Sequence, residues 1–185
     1  DRLRHRTVAG VAFDSFASSM IAVDADGTAL TPCFTYADGR CAAQVEQLRA
    51  EADEHSVQQH TGTRIHSSYW PARLRWLSDT RPDLAPTHYL SLGDYVYRRL
   101  LGVHGTGTAS ASWTGLVDRR TCDWSPDIVA LSGISPDQLP PIHHLDDPFT
   151  PTGPQADAAA RRWPAVAGAR WFAPVSDGLS ANVGL

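Results

Sequence analysis

Short strand-forming runs alternate with helix-patterned stretches along this chain, and that alternation restricts its fold more than any composition figure does. "TVAGVAF" (7–13) predicts a buried strand, and "SMIAVDADGTALTPCFTYA" predicts two strands joined by a hairpin turn at Asp26-Gly27. A helix is predicted over 41–55, with Val45 and Leu48 on one face and Glu46, Glu51 and Glu54 among the polar positions. Further helices are predicted over 69–78 and over 92–101, the latter stopped by Gly102. "DWSPDIVALSGISPDQLPPI" (123–142) predicts a short capped helix, an Ile-Ser-Pro turn and a proline-rich exit. Residues 146–154 carry no period and predict a surface linker, after which a helix over 155–163 leads to a strand from Ala169. Strands and helices in this order predict the α/β class.

At 185 residues, 42% hydrophobic and with a net charge of −4, the chain has globular material for one domain or a little more. It contains no lysine, which excludes a lysine Schiff base and a Walker-type phosphate loop ending in Gly-Lys-Ser/Thr. The arginines are dispersed, so no nucleic-acid footprint is expected. The opening "DRLRHRTVAGVAF" is basic, but its apolar run is too short for a signal peptide or a membrane span. Cys33, Cys41 and Cys122 have no CxxC spacing, and their odd number fits a reducing, cytoplasmic compartment. "IHHLDD" (142–147) offers two histidines and two carboxylates, but neighbours on an extended segment point to opposite faces, and no metal site is expected. "GVHGTGTASAS" is glycine-rich without a lysine, so strand or loop geometry explains it better than phosphate binding.

The terminal "PVSDGLSANVGL" carries the sharpest chemical signal. An apolar run from Ala169 to Val175 delivers Asp177 to the tip of a turn, Gly178 leaves room beside it, and small residues then begin a helix. Such a carboxylate is either a reactive base or the cap of a helix starting at Leu179, and the two roles can coexist. "TYADGR" sets Tyr36, Asp38 and Arg40 on one strand-to-helix corner. An aromatic face and charged forks are what grip a sugar, while an Asp38–Arg40 ion pair pinning the corner is the structural alternative. "TGTRIHSSYWPARLRW" places Arg64, His66, Ser68 and Tyr69 just ahead of a helix, where a lone histidine serves structure as readily as substrate.

Seven blocks, in order, resemble the FGGY carbohydrate kinases, relatives of glycerol kinase, xylulokinase and gluconate kinase. They are "FDSF", "TPCFTYADGR", "QHTGTRIHSSYWPARLRWL", "SLGDYVYRRLLG", "TASASWTGLVDRRTCDWS", "LSGISPDQLPPI" and "SDGLSANVG". The resemblance implies an α/β lobe of the ribonuclease H-like ATPase architecture shared with actin, hexokinase and Hsp70. It implies ATP and Mg²⁺ as cofactors, a sugar or sugar acid as acceptor with a lean to gluconate or xylulose, and Asp177 as catalytic base. It also implies Asp14, Tyr36, Asp38, Arg40, His66 and Ser68 as substrate contacts, and allows a homodimer. Arg73 stands where a lysine is common and Trp70 where a small residue is common, departures that bear on sugar specificity.

The family pattern begins with an Asp-x-Gly-Thr phosphate-binding hairpin and continues past the final aspartate into a nucleotide-binding domain. Residues 1–185 are therefore expected to be a partial N-terminal, sugar-binding domain, inactive alone. The competing expectation is a non-catalytic carbohydrate-binding or interaction module derived from that lobe. A phosphate-ester hydrolase would need a partner acid or metal cluster near Asp177, where the following residues offer only Ser180 and Asn182.

Overall fold

The computed structural model describes residues 7–184. The chain starts with β1 (Gly10–Val11), β2 (Asp14–Ser15) and β3 (Ile21–Val23), then α1 (Ala42–Glu51), α2 (Glu54–Thr61) and α3 (Trp70–Thr80). Next come β4 (His88–Leu90), α4 (Leu92–Leu101), β5 (Thr106–Gly107), α5 (Thr108–Ser112), β6 (Val117–Asp118), β7 (Asp123–Trp124) and α6 (Pro126–Leu131). It closes with β8 (Ile142–His143), α7 (Pro154–Arg162), β9 (Arg170–Trp171), β10 (Val175–Ser176) and α8 (Asp177–Val183). Helices interleaved with parallel pairs make the α/β class. None of these helices is long and apolar enough to cross a membrane.

The first and last strands pair in parallel, β1 with β9 and β2 with β10. The apolar run 7–13, expected as a buried strand, yields only two paired residues in β1, and none of its residues is buried. The turn at Asp26-Gly27 forms as expected: Gly27 takes φ +76° and its N–H donates to the Asp24 carbonyl at 3.0 Å, while Thr28 N–H donates to the Asp24 carboxylate at 2.8 Å. The hairpin beyond it is reduced to isolated bridges, Val23 to Ala29 and Met20 to Phe34, and β3 takes its ladder from antiparallel β4.

One expected helix divides. Ala52 is extended, and the Asp53 carboxylate accepts from His55 N–H at 3.1 Å, so 41–55 becomes the end of one helix and the capped start of another. α4 matches its expected bounds, with a reciprocal Ser91/Asp94 capping box at one end and left-handed Gly102 at the other.

Met20, Leu48, Trp70, Leu74, Leu116 and Val129 form the larger buried cluster. Each such side chain withdrawn from water contributes roughly 1.5–3 kcal/mol. A second cluster lies under the parallel pairs, where the Tyr97 ring meets Trp171 at 5.7 Å and Phe149 at 6.2 Å, both edge-on. Phe149 sits within the expected surface linker, but it is buried and its N–H donates to the Trp171 carbonyl at 2.6 Å. That segment is anchored to β9 as well as exposed.

Candidate functional site

The pairing of β10 with β2 decides where Asp177 lies. Val175 faces Asp14 and Ser176 faces Ser15 in register, so Asp177 emerges beside the chain just leaving β2. Three contacts seat the preceding strand: a Cβ on Gly93 of α4 would overlap Pro174, Ser110 Oγ donates to the Pro174 carbonyl at 2.7 Å, and a Cβ on Gly107 would lie 2.6 Å from Ala173 Cβ.

Asp177 is not a turn tip capping a helix from Leu179. Ser176 holds the N-cap position without a side-chain capping bond, and Asp177 is the first helical residue. Its Oδ1 accepts two N–H groups, from Ala17 at 3.1 Å and from Gly178 at 2.9 Å. Oδ2 has no hydrogen-bond partner among the described residues, and the side chain is exposed. One oxygen is thus spent on holding the carboxylate and the other is open to a ligand. The space beside Gly178, expected to be open, meets the Trp113 ring 3.3 Å from where a Cβ would stand.

The "TYADGR" corner forms as a unit. Asp38 Oδ1 accepts from Arg40 N–H at 3.1 Å and Nε at 2.9 Å, and Oδ2 accepts from Nη2 at 2.5 Å. The Arg40 guanidinium lies 4.5 Å over the Trp76 ring and 5.2 Å over Phe34. The hydrogen bonds from Arg40 hold the Asp38 carboxyl below its ordinary value, although burial opposes them. Arg40 keeps 55% of its side chain exposed against 16% for Asp38. Tyr36 is 56% exposed, and its carbonyl accepts from Ser68 Oγ at 3.0 Å. Ser68 is in turn within 3.1 Å of His66 Nδ1, so Tyr36, His66 and Ser68 are brought together. Asp14, at the start of β2, is exposed and accepts no side-chain hydrogen bond from the described residues.

Arg73 ties these parts to one another, a role that its sequence position alone did not suggest. It is 2% exposed on the buried face of α3, and its fork donates to three carbonyls: Ser67 from Nε at 2.9 Å, Ser18 from Nη1 at 2.5 Å and Ser68 from Nη2 at 2.6 Å. Burial lowers its pKa, with Cys41, Asp38 and Cys33 acting in the other direction. Ser18 follows Ala17, the donor to Asp177, and Ser68 supports Tyr36, so one guanidinium links the Asp177 end to the corner. The signal was available in the spacing: Arg73 stands three residues after Trp70 and four before Leu77, on the apolar stripe of the helix.

The glycine-rich stretch 102–112 does not open into a phosphate cradle at Gly105 or Gly107. The open sides of Gly105 and Gly107 in the glycine-rich stretch are occupied by His143, Phe149 and Ala173, so these glycines serve packing. No group of three or more His, Cys, Asp or Glu gathers for a metal among the described residues. Cys41 is buried, Cys33 half-buried and Cys122 exposed, all as free thiols.

Comparison with known proteins gives a consistent set of relatives. The family model described as "FGGY family of carbohydrate kinases, N-terminal domain" matches residues 2–182. Gluconokinase from Bacillus subtilis is 27% identical over 185 residues, covering 97% of this chain and 35% of that protein. Glycerol kinase from Koribacter versatilis is 30% identical over 156 residues, covering 80% of this chain and 31% of that protein. Among solved structures, xylulose kinase from Rhodospirillum rubrum superposes with a TM-score of 0.86 at 25% identity, covering 95% of this chain and 36% of that one. Gluconate kinase from Lactobacillus acidophilus gives 0.85 at 21% identity, covering 94% and 35%. The chain spans about a third of the length of the curated relatives it matches.

Proposed function

The chain belongs to the FGGY family of carbohydrate kinases, and on that premise we propose that it is the acceptor-binding part of an ATP-dependent kinase. The enzyme would phosphorylate a hydroxyl of a sugar or sugar acid, with gluconate and xylulose as the first candidates. Residues 1–185 then form part of the N-terminal, sugar-binding domain. ATP and Mg²⁺ supply the phosphoryl group and the charge neutralisation, held mainly by portions of the family's length that this chain does not span.

The observation that carries this reading is the division of labour within the Asp177 carboxylate. Phosphoryl transfer to an alcohol needs a base that takes the hydroxyl proton as the new bond forms. Oδ1 is fixed by the N–H groups of Ala17 and Gly178, which orients the group, and Oδ2 is left to accept that proton. At the corner, Asp38 holds Arg40 through Nε and Nη2, which leaves Nη1 of the exposed guanidinium for a substrate hydroxyl, and Tyr36 offers an aromatic face. His66, Ser68 and Asp14 complete the polar contacts.

The test is ADP formation by the purified full-length protein with ATP, Mg²⁺ and a panel of gluconate, xylulose and glycerol. At least one acceptor is expected to drive turnover, whereas the isolated 185-residue chain is expected to give none. A full-length protein inert toward the whole panel would overturn the reading.

A further inference from the structure

Trp113 stands beside the proposed base in a way that the reaction as described does not use. It is 39% exposed, a large apolar surface for a residue with a fixed position. Its carbonyl accepts from Ser18 Oγ, and Ser18 adopts the left-handed region at φ +54°, uncommon for a residue with a side chain. The Trp113 ring packs on Gly178, whose N–H donates to Asp177 Oδ1 at 2.9 Å. Ala17, the residue before Ser18, donates to the same oxygen at 3.1 Å. Asp177, Ala17, Ser18, Trp113 and Gly178 therefore form a closed ring of contacts and covalent links. In this ring the indole is located relative to the carboxylate from both sides.

We infer that Trp113 is a specificity-determining residue: its exposed indole receives the C–H face of the acceptor sugar and so sets which hydroxyl meets Asp177 Oδ2. The inference rests on the kinase reading above. An aromatic ring beside a carboxylate suits a polyhydroxylated carbon chain, whose C–H side is apolar and whose hydroxyl side is not. The ring supplies contact area and the carboxylate the directional bond. Gly178 lets the indole lie close, since a Cβ there would stand 3.3 Å from the ring and press it outward.

The experiment uses the full-length protein with the best acceptor of the panel, comparing Trp113→Phe, Trp113→Ala and, as a control at an exposed tryptophan next to α7, Trp163→Phe. Trp113→Ala is expected to raise KM for the sugar about tenfold or more and to leave KM for ATP within about twofold. Trp113→Phe should keep KM for the sugar within a few-fold. Sugar-induced quenching of the intrinsic fluorescence should be lost in Trp113→Phe and kept in Trp163→Phe, a readout that remains if the alanine variant fails to fold. Unchanged sugar KM in Trp113→Ala, or quenching that survives in Trp113→Phe, would overturn the role of Trp113 while leaving the kinase reading standing. A wild-type protein that phosphorylates no acceptor would overturn both.

Discussion

The backbone N–H of Ala17 donates to Oδ1 of Asp177 at 3.1 Å, joining two residues 160 positions apart in the sequence. The bond exists because β2 and β10 lie side by side in parallel, so the chain leaving one strand passes the first residue of the helix that follows the other. It makes the orientation of Asp177 a property of the fold, and not of the turn in which the aspartate sits.

Arg73 should be among the most sensitive positions in the molecule. Its fork satisfies three carbonyls from a buried site, so Arg73→Met would leave them without their charged donor. A loss of roughly 3–5 kcal/mol in urea unfolding is expected. Arg73→Lys should lose less, because an ammonium keeps the charge but cannot reproduce the planar fork. A methionine variant within about 1 kcal/mol of wild type would remove Arg73 as the link between the two ends of the site.

The buried carboxyl of Asp94 gives stability a particular pH dependence. Burial raises its pKa from 3.8 to about 6, against the pull of hydrogen bonds from Ser91. The folded state then binds more protons than the unfolded state between those two values. The contribution of Asp94 to stability is therefore greatest at low pH, falls as pH rises through this window, and is flat above about 6. Chemical unfolding of wild type and Asp94→Asn from pH 4 to 8 should differ by a slope amounting to roughly 1–3 kcal/mol across that window. Parallel curves would contradict the assignment.

At the corner, the geometry assigns Asp38 and Arg40 different tasks, since the carboxylate is mostly covered and the guanidinium mostly exposed. Arg40→Ala in the full-length protein is expected to raise sugar KM by the equivalent of about 1.5–3 kcal/mol, with stability changed by less than about 1 kcal/mol. Asp38→Ala should act through Arg40, so the double variant should be no worse than the poorer single one. Tyr36→Phe should keep affinity if the ring stacks on the sugar. Unchanged KM with a lowered Tm would return the pair to a purely structural role.

These relationships were unevenly visible in the sequence. The helix Leu92–Leu101 was legible because its stop and start signals are local, Ser91 with Asp94 at one end and Gly102 at the other. The break at Ala52–Asp53 was hidden because alanine and glutamate on either side sustain a helical pattern, while a single Asp53 cap decides the matter. The strands were over-predicted in length: 7–13 reads as one run, but in β1 only Gly10 and Val11 find ladder partners, at Arg170 and Trp171. Asp177, Tyr36, Asp38 and Arg40 stood out as candidates by residue type and order, and His66 and Ser68 by the resemblance to the family. The frame that holds them did not: the apolar stripe puts Arg73 on the buried face of its helix, but nothing local names the carbonyls it bonds or the contact of Trp113 with Gly178.

The most direct measurement is steady-state turnover of the full-length protein and its Asp177→Asn variant, with the acceptor that the wild type phosphorylates best. Asparagine keeps an oxygen for the Ala17 and Gly178 N–H groups but cannot take the hydroxyl proton. A fall in kcat of roughly a hundredfold or more, with sugar KM within a few-fold of wild type, is the expected result. Near-normal kcat in Asp177→Asn would contradict the account and leave Asp177 as no more than the residue that fixes α8 beside β2.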